Sequence, residues 1–245
     1  MTVPRMIRAL VDAALWECCP AEVVGAAEGA PWLERTLRLC GEDAAAFANK
    51  DPAARGKPET VIASYTSFKA VLHYRLAHAL LSAGTLPGGT ADSEPYAMLV
   101  SSRGKLLSGA ELHPRCRIGR RFVLDHGVGT VFGETTELGD DCYVLGGVTL
   151  GAAGIAGNPA GKRHPTVGHR VQIGAFARVF GAVSIGDDVF IGPHSVITQD
   201  VPPSCSVTVR TSHQVIRVRC TQATPQSGCS IAVDSQKISK MVAEQ

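Results

Sequence analysis

Residues 167–197 read VGHRVQIGAFARVFGAVSIGDDVFIGPHSVI, and within them Val167, Ile173, Val179, Ile185, Ile191 and Ile197 recur at every sixth position without a miss. Glycine follows four of these, at 168, 174, 186 and 192. A period of six fits neither an α-helix, with about 3.6 residues per turn, nor a strand alternating about every 2. It is the mark of a parallel β-helix, in which each hexapeptide gives one short flat strand and one corner. The apolar residue points into the prism, and small residues let the chain turn from face to face. An antiparallel barrel of short strands has no reason to keep a fixed interval.

The same interval extends upstream. Leu112, Ile118 and Leu124 keep it, and so do Phe132, Leu138, Val144 and Leu150 after a two-residue phase shift. Three hexapeptides close a coil, so these positions predict roughly four to five coils. Between Leu150 and Val167 the repeat lapses. Gly151 to Thr166 (GAAGIAGNPAGKRHPT) is rich in Gly and Ala and is expected to be extruded as a loop, where function tends to sit on a rigid scaffold.

Before about residue 105 the period is helical. Met6, Ile7, Leu10, Val11, Ala14 and Leu15 share one helix face, and Pro31 opens a second helix through Trp32, Leu33, Leu37 and Leu39. Phe68, Val71, Leu72, Leu76, Ala79 and Leu80 mark a third, stopped by Gly84 and Pro87-Gly88-Gly89, and a short fourth covers Tyr96 to Val100. The expected architecture is an all-α N-terminal domain (1–104), a left-handed parallel β-helix with one extruded loop (105–205) and a C-terminal tail (206–245).

Composition narrows the function. The 245-residue chain carries a formal net charge of +2 and no long Lys/Arg run, which leaves nucleic acid unsupported as a partner. No apolar stretch approaches membrane-spanning length, and the start (MTVPRM) lacks a signal-peptide core, so a cytoplasmic protein is expected. Eight cysteines show no CxxC pair and read as small buried hydrophobes.

Acylating a hydroxyl needs a base to take the alcohol proton, and neutral histidine suits this near pH 7. His126 follows Asp125 at a coil corner, just before the phase shift. Glu111 precedes it by nearly one coil, so the two are expected to stack, with the carboxylate orienting the ring.

The stretch from Glu111 to Thr135, ELHPRCRIGRRFVLDHGVGTVFGET, resembles the active-site region of serine acetyltransferases, the first enzymes of cysteine synthesis. Val148-Thr-Leu-Gly151, Lys162-Arg163-His164-Pro165, Val201-Pro-Pro203, Asp51-Pro-Ala and residues 67–78 (SFKAVLHYRLAH) are similar too, so the resemblance spans roughly residues 50–205. It implies His126 as the general base and Glu111 as its partner. Asp51 and Asp125 would receive the acceptor's ammonium, Arg163 its carboxylate, and His164 would line the same pocket. Acetyl-CoA would lie in a groove between neighbouring β-helices of a homotrimer or dimer of trimers, near Ala152, Ala153, Gly174, Ala175, Gly192 and Pro193, with no metal.

The sequence departs from the family at several points. Glu111 stands where an aspartate is usual, Pro193 replaces a small residue, and Val209-Arg-Thr-Ser-His213 stands in place of Gly-Val-Pro-Ala-Arg. The chain given ends in Ala243-Glu-Gln245 instead of the isoleucine with which the family docks into its sulfhydrylase, so no stable cysteine synthase complex is expected. Three other readings share the repeat. These are an O-acetyltransferase acting on homoserine or a sugar, a β-helix metalloenzyme using His126, His164 and His169, and a non-catalytic scaffold. Asp51 and Arg163, which suit an amino acid's two charges, favour an amino acid over a sugar. The Arg163 cation beside His164 works against a metal, and a scaffold would have little reason to carry Asp51, Asp125, His126, Arg163 and His164 together.

Overall fold

In a computed structural model, which describes residues 1–84 and 92–210, the hexapeptide columns become the interior of a left-handed parallel β-helix. Its first face stacks β1 (Glu111–Leu112), β4 (Val131–Phe132), β7 (Thr149–Gly151), β10 (Arg178–Phe180) and β13 (Val196–Ile197). The second stacks β2 (Arg117–Ile118), β5 (Glu137–Leu138), β8 (Thr166–Val167) and β11 (Ser184–Ile185). The third stacks β3 (Val123–Asp125), β6 (Tyr143–Leu145), β9 (Gln172–Ile173), β12 (Phe190–Ile191) and β14 (Ser206–Val207). Every pairing is parallel, as a coil that returns to its starting face requires.

Register fixes the core. Leu112, Phe132, Leu150, Val179 and Ile197 stack on one face, Ile118, Leu138, Val167 and Ile185 on the next, and Leu124, Val144, Ile173 and Ile191 on the third. All are buried. Each such side chain contributes roughly 1.5–3 kcal/mol when fully withdrawn from water. The phase shift is visible as a longer first coil, in which Glu111 pairs with Val131, whereas Val131 pairs with Thr149.

The helical part consists of α1 (Val3–Cys18), α2 (Ala21–Ala27), α3 (Pro31–Lys50), a 3₁₀ turn (Pro52–Ala54), α4 (Pro58–Ser64), α5 (Thr66–Ala83) and α6 (Glu94–Ser108). Two short helices, α2 and α4, go beyond the sequence expectation. Helix α3 runs past Leu39 to Lys50 because Cys40, Ala44, Phe47 and Ala48 continue its buried face. Helix α6 is far longer than Tyr96–Val100, ending at Gly109 in the left-handed conformation that stops a helix. Helix α5 is buried nearly all round, which explains its unbroken apolar character. Residues 1–209 form one compact unit.

The first coil has no coil beneath it, so its strand edge needs other partners. The helices supply them. Tyr74 Oη donates to the Cys116 carbonyl at 2.8 Å and accepts from the Ile118 amide at 3.0 Å. Arg75 donates to the carbonyls of Ile118 (2.6 Å) and Gly119 (2.5 Å), and Asp43 Oδ1 accepts from the Phe122 amide at 2.9 Å. Asp43 and Arg75, both buried, pair at 2.9 Å, and this joint fixes the helices to the coil they cap.

Among the described residues the cysteines are free thiols, four of them buried, and no helix is long and apolar enough to cross a membrane. Pro87-Gly88-Gly89, Cys220, Cys229 and the tail beyond Arg210 lie outside the described residues.

Candidate active site

Strand β3 ends at Asp125, and the chain turns from the third face to the first through His126 in the left-handed region (φ 62°). A histidine there carries a conformational cost that glycine would not, and it holds the ring outward, 83% exposed. His126 Nε2 lies 3.9 Å from Asp125 Oδ1. Tyr143, from the coil above, donates its hydroxyl to Asp125 Oδ2 at 2.8 Å.

The helices bring a second carboxylate. Asp51 both ends α3 and caps the 3₁₀ turn, accepting from the Ala53 amide at 2.9 Å and from Tyr65 Oη at 2.6 Å. That hydrogen bond pushes the Tyr65 hydroxyl up to about 12, and burial with the bond to Asp125 raises Tyr143 as well. Each phenol feels both carboxylates, so Asp51, Asp125, Tyr65 and Tyr143 form one electrostatic unit beside His126. Two acidic groups, each oriented by a phenol, make a cradle for a cation next to a potential base.

Glu111 is placed differently from its sequence expectation. Its strand belongs to the first face, directly after the corner, and its carboxylate is held by Lys105 Nζ of α6 at 2.5 Å. Glu111 pairs with Val131, five residues past the histidine, so it does not stack under His126, and the carboxylate within 4 Å of His126 is that of Asp125.

Arg163 and His164 gather at the other edge of the first face, where the extruded loop returns. Thr135 staples them. Its Oγ1 accepts from the amides of Arg163 (3.0 Å) and His164 (3.1 Å), and its amide donates to His164 Nδ1 at 3.1 Å. The guanidinium of Arg163 binds Glu134 and holds that carboxyl below its usual range. Burial, then the charge of Arg163, lowers His164, which is therefore a neutral imidazole near pH 7. Gly133 lies so close beneath this ring that a β-carbon there would overlap it.

Strand β4 separates the two groups, so they stand a face-width apart, on the order of 10–17 Å at 3.3 Å per residue. The residues expected near acetyl-CoA divide in the same way. Ala152 and Ala153 leave β7 at the edge of His164, while Gly174, Ala175, Gly192 and Pro193 lie at the edge of His126, one or more coils further along. Pro193 packs directly on Gly174, where a β-carbon would come within 2.5 Å of its nitrogen.

The family described as "Bacterial transferase hexapeptide (six repeats)" matches residues 164–199. A serine acetyltransferase of Helicobacter pylori is 46% identical over 153 residues, 62% of this chain and 82% of that protein. One from Mycobacterium tuberculosis is 43% identical over 71% of this chain and 70% of its own length. The crystal structure of the Neisseria gonorrhoeae enzyme in complex with serine superposes with a TM-score of 0.71 at 29% identity, over 86% of this chain and 83% of that one. The chain belongs to the serine acetyltransferase family.

As a serine acetyltransferase homologue the chain has features that the sequence did not expose. Tyr65 and Tyr143 orient the two aspartates, yet neither has a fixed spacing from its partner. Thr135, Glu134 and Gly133 shape the second edge, and their roles depend on a loop return that no periodicity marks. Next to the aspartates, a cleft of about 540 Å³ lined by Lys50, Asp141, Tyr143, Arg170 and Gln172 opens against the third face, with Tyr143 as the shared wall. His126, His164 and His169 occupy three separate edges of the prism, and no cluster of His, Cys, Asp and Glu among the described residues could hold a metal ion.

Proposed function

We propose that this protein transfers acetyl from acetyl-CoA to the hydroxyl of L-serine, giving O-acetylserine and CoA. The observation that carries the reading is Asp125, held by Tyr143 and 3.9 Å from the exposed imidazole of His126, with Asp51 close enough that Tyr65 and Tyr143 each feel both carboxylates. The serine ammonium binds between the aspartates, which leaves the hydroxyl facing His126. Nε2 takes the hydroxyl proton as the oxygen attacks the thioester carbonyl, and the imidazolium returns it to the departing thiolate. The negative charge of Asp125 favours the imidazolium formed on the way.

Arg163 supplies the bidentate donor that a carboxylate needs, with His164 beside it. Because both stand a face-width from His126, they serve the His126 of a neighbouring copy in a homotrimer, alone or as a dimer of trimers. The acetyl-CoA groove, between the edge carrying Gly174, Ala175, Gly192 and Pro193 and the edge carrying Ala152 and Ala153, is completed in the same way. Serine complexes known for family members support the acceptor.

The test is thiol release from acetyl-CoA in the presence of serine, homoserine, threonine or simple sugars. Serine should be preferred, and sedimentation should give a trimer or a multiple of three. A preference for homoserine or a sugar would replace the acceptor, and an active monomer would refute the shared site.

A further inference from the structure

We infer that Glu134 is an exchangeable counter-ion for Arg163, paired with the guanidinium in the resting protein and passed to Arg115 when an acceptor carboxylate arrives. The inference rests on the serine reading above and adds how the pocket selects for a carboxylate. It makes Glu134 a specificity-determining residue at the edge where the extruded loop returns.

The hydrogen bonds of Arg163 show why an exchange is needed. Nη1 is spent on the carbonyls of Ala160 (3.2 Å) and Gly161 (3.4 Å), and Nη2 binds Glu134 Oε2. A guanidinium grips a carboxylate with two prongs either through Nε and Nη2 or through Nη1 and Nη2. Arg121 on Asp141 and Arg170 on Asp188 show the first grip in this chain. Either grip includes Nη2, the nitrogen that Glu134 holds. A second carboxylate there would stand against the oxygens of Glu134, like charge against like charge. The Glu134 carboxyl, held low by Arg163, keeps its charge near neutral pH, so the conflict is real.

The structure also provides the place to which Glu134 moves. Arg115 Nε lies 3.6 Å from its other oxygen, Oε1, beyond hydrogen-bond length but within reach of a small turn of the side chain. Glu94 holds Arg115 there, accepting from Nη2 at 2.5 Å and leaving Nε unspent. Glu134 and Arg115 are both partly exposed, so packing locks neither side chain. Arg163 itself stays in place, fixed by its amide on Thr135 and by Nη1 on the two carbonyls. An acceptor without a carboxylate cannot displace Glu134 and meets a guanidinium already neutralised. Serine exchanges one charged pair for another, and its affinity is held below what a free guanidinium would give.

The test compares the full chain with Glu134→Gln, Arg115→Gln and the double variant, by steady-state kinetics and by calorimetry with serine. Glutamine keeps the shape of Glu134 and removes its charge. Glu134→Gln should therefore lower the KM and the Kd for serine by about threefold to tenfold, with kcat near the unmodified value. Arg115→Gln removes the receiving cation and should raise both constants by about threefold to tenfold, a rise that should disappear in the double variant. Serinamide, which lacks the carboxylate, should remain a poor acceptor with a KM within about twofold of the unmodified value in every variant. A residue that merely braces Arg163 would act with the opposite sign, so a raised KM for serine in Glu134→Gln overturns the exchange. Shifts of the same sign in the two single variants, or equal shifts for serine and serinamide, overturn it as well. If the unmodified protein acetylates serine and these constants stay fixed in the variants, the serine reading stands and the exchange fails. If serine binds with the opposed shifts but receives no acetyl group, the exchange stands and the acetyltransferase reading fails.

Discussion

The imidazole of His164 rests against the bare Cα of Gly133, in space that a β-carbon would occupy. Replacing Gly133 with Ala should therefore push the ring off its hydrogen bond from the Thr135 amide and leave that partly buried donor without its partner. The expected cost is about 1–3 kcal/mol. Urea denaturation would measure it, and the same variant should raise the KM for serine. A Gly133→Ala protein of unchanged stability would mean that His164 has another place to go.

His126→Ala should lower turnover by about 10²–10⁴-fold with the fold intact, the usual effect of losing a positioned base. Because Lys105 holds Glu111, Glu111→Gln should cost much less. Steady-state rates with matched circular dichroism spectra decide both points. Equal losses would show that Glu111 turns to the histidine in the working enzyme.

Removing the phenol that orients Asp51 gives a finer test of the acceptor cradle. Tyr65→Phe should raise the KM for serine about tenfold, in line with the loss of one hydrogen bond to a charged group, with kcat less affected. A change confined to kcat would place Tyr65 in the chemistry instead of the binding.

The joint between helices and β-helix predicts a stability effect. Asp43→Ala leaves Arg75 buried without its partner and should destabilise the protein by about 3–5 kcal/mol. Combining it with Arg75→Met should recover part of the loss in the denaturation midpoint. No recovery would show that the carbonyl bonds of Arg75, not its charge, matter most.

Burial holds His73, His78, His113 and His164 below their ordinary value of 6.5. Once unfolded they bind protons that the folded chain refuses, so their contribution is complete above that value and falls as pH drops through the lowered folded ones. The denaturation midpoint should decline between pH 7 and pH 5. The carboxyls of Glu42, Glu134, Asp141 and Asp188, also held low, lose their contribution only below about pH 4.5. A flat midpoint from pH 7 to 5 would contradict this assignment.

The β-helix was legible because its constraint is local. Every sixth residue must be apolar to fill the prism, so the columns from Leu112 to Ile197 and the lapse at the extruded loop can be read directly along the chain. The helices were legible in part. Strong periodicity revealed α1 and α5, but α2 and α4 are too short to show a period, and the length of α6 depends on what it packs against. At the site, sequence alone placed Asp125 beside His126 at a corner.

Only the tertiary structure decided what stands around them. Asp51 reaches the same edge because α3 is pinned to the first coil by Asp43 and Arg75, a contact between residues far apart in the chain. Glu111 pairs with Val131, not with the residues around His126, and there Lys105 of α6 holds its carboxylate. Arg163 and His164 stand at the opposite edge because Thr135 catches the returning loop there. Periodicity records which side chains fill the interior. The meeting of outward-facing groups depends on how coils stack and where loops return, and no repeat along the chain encodes that.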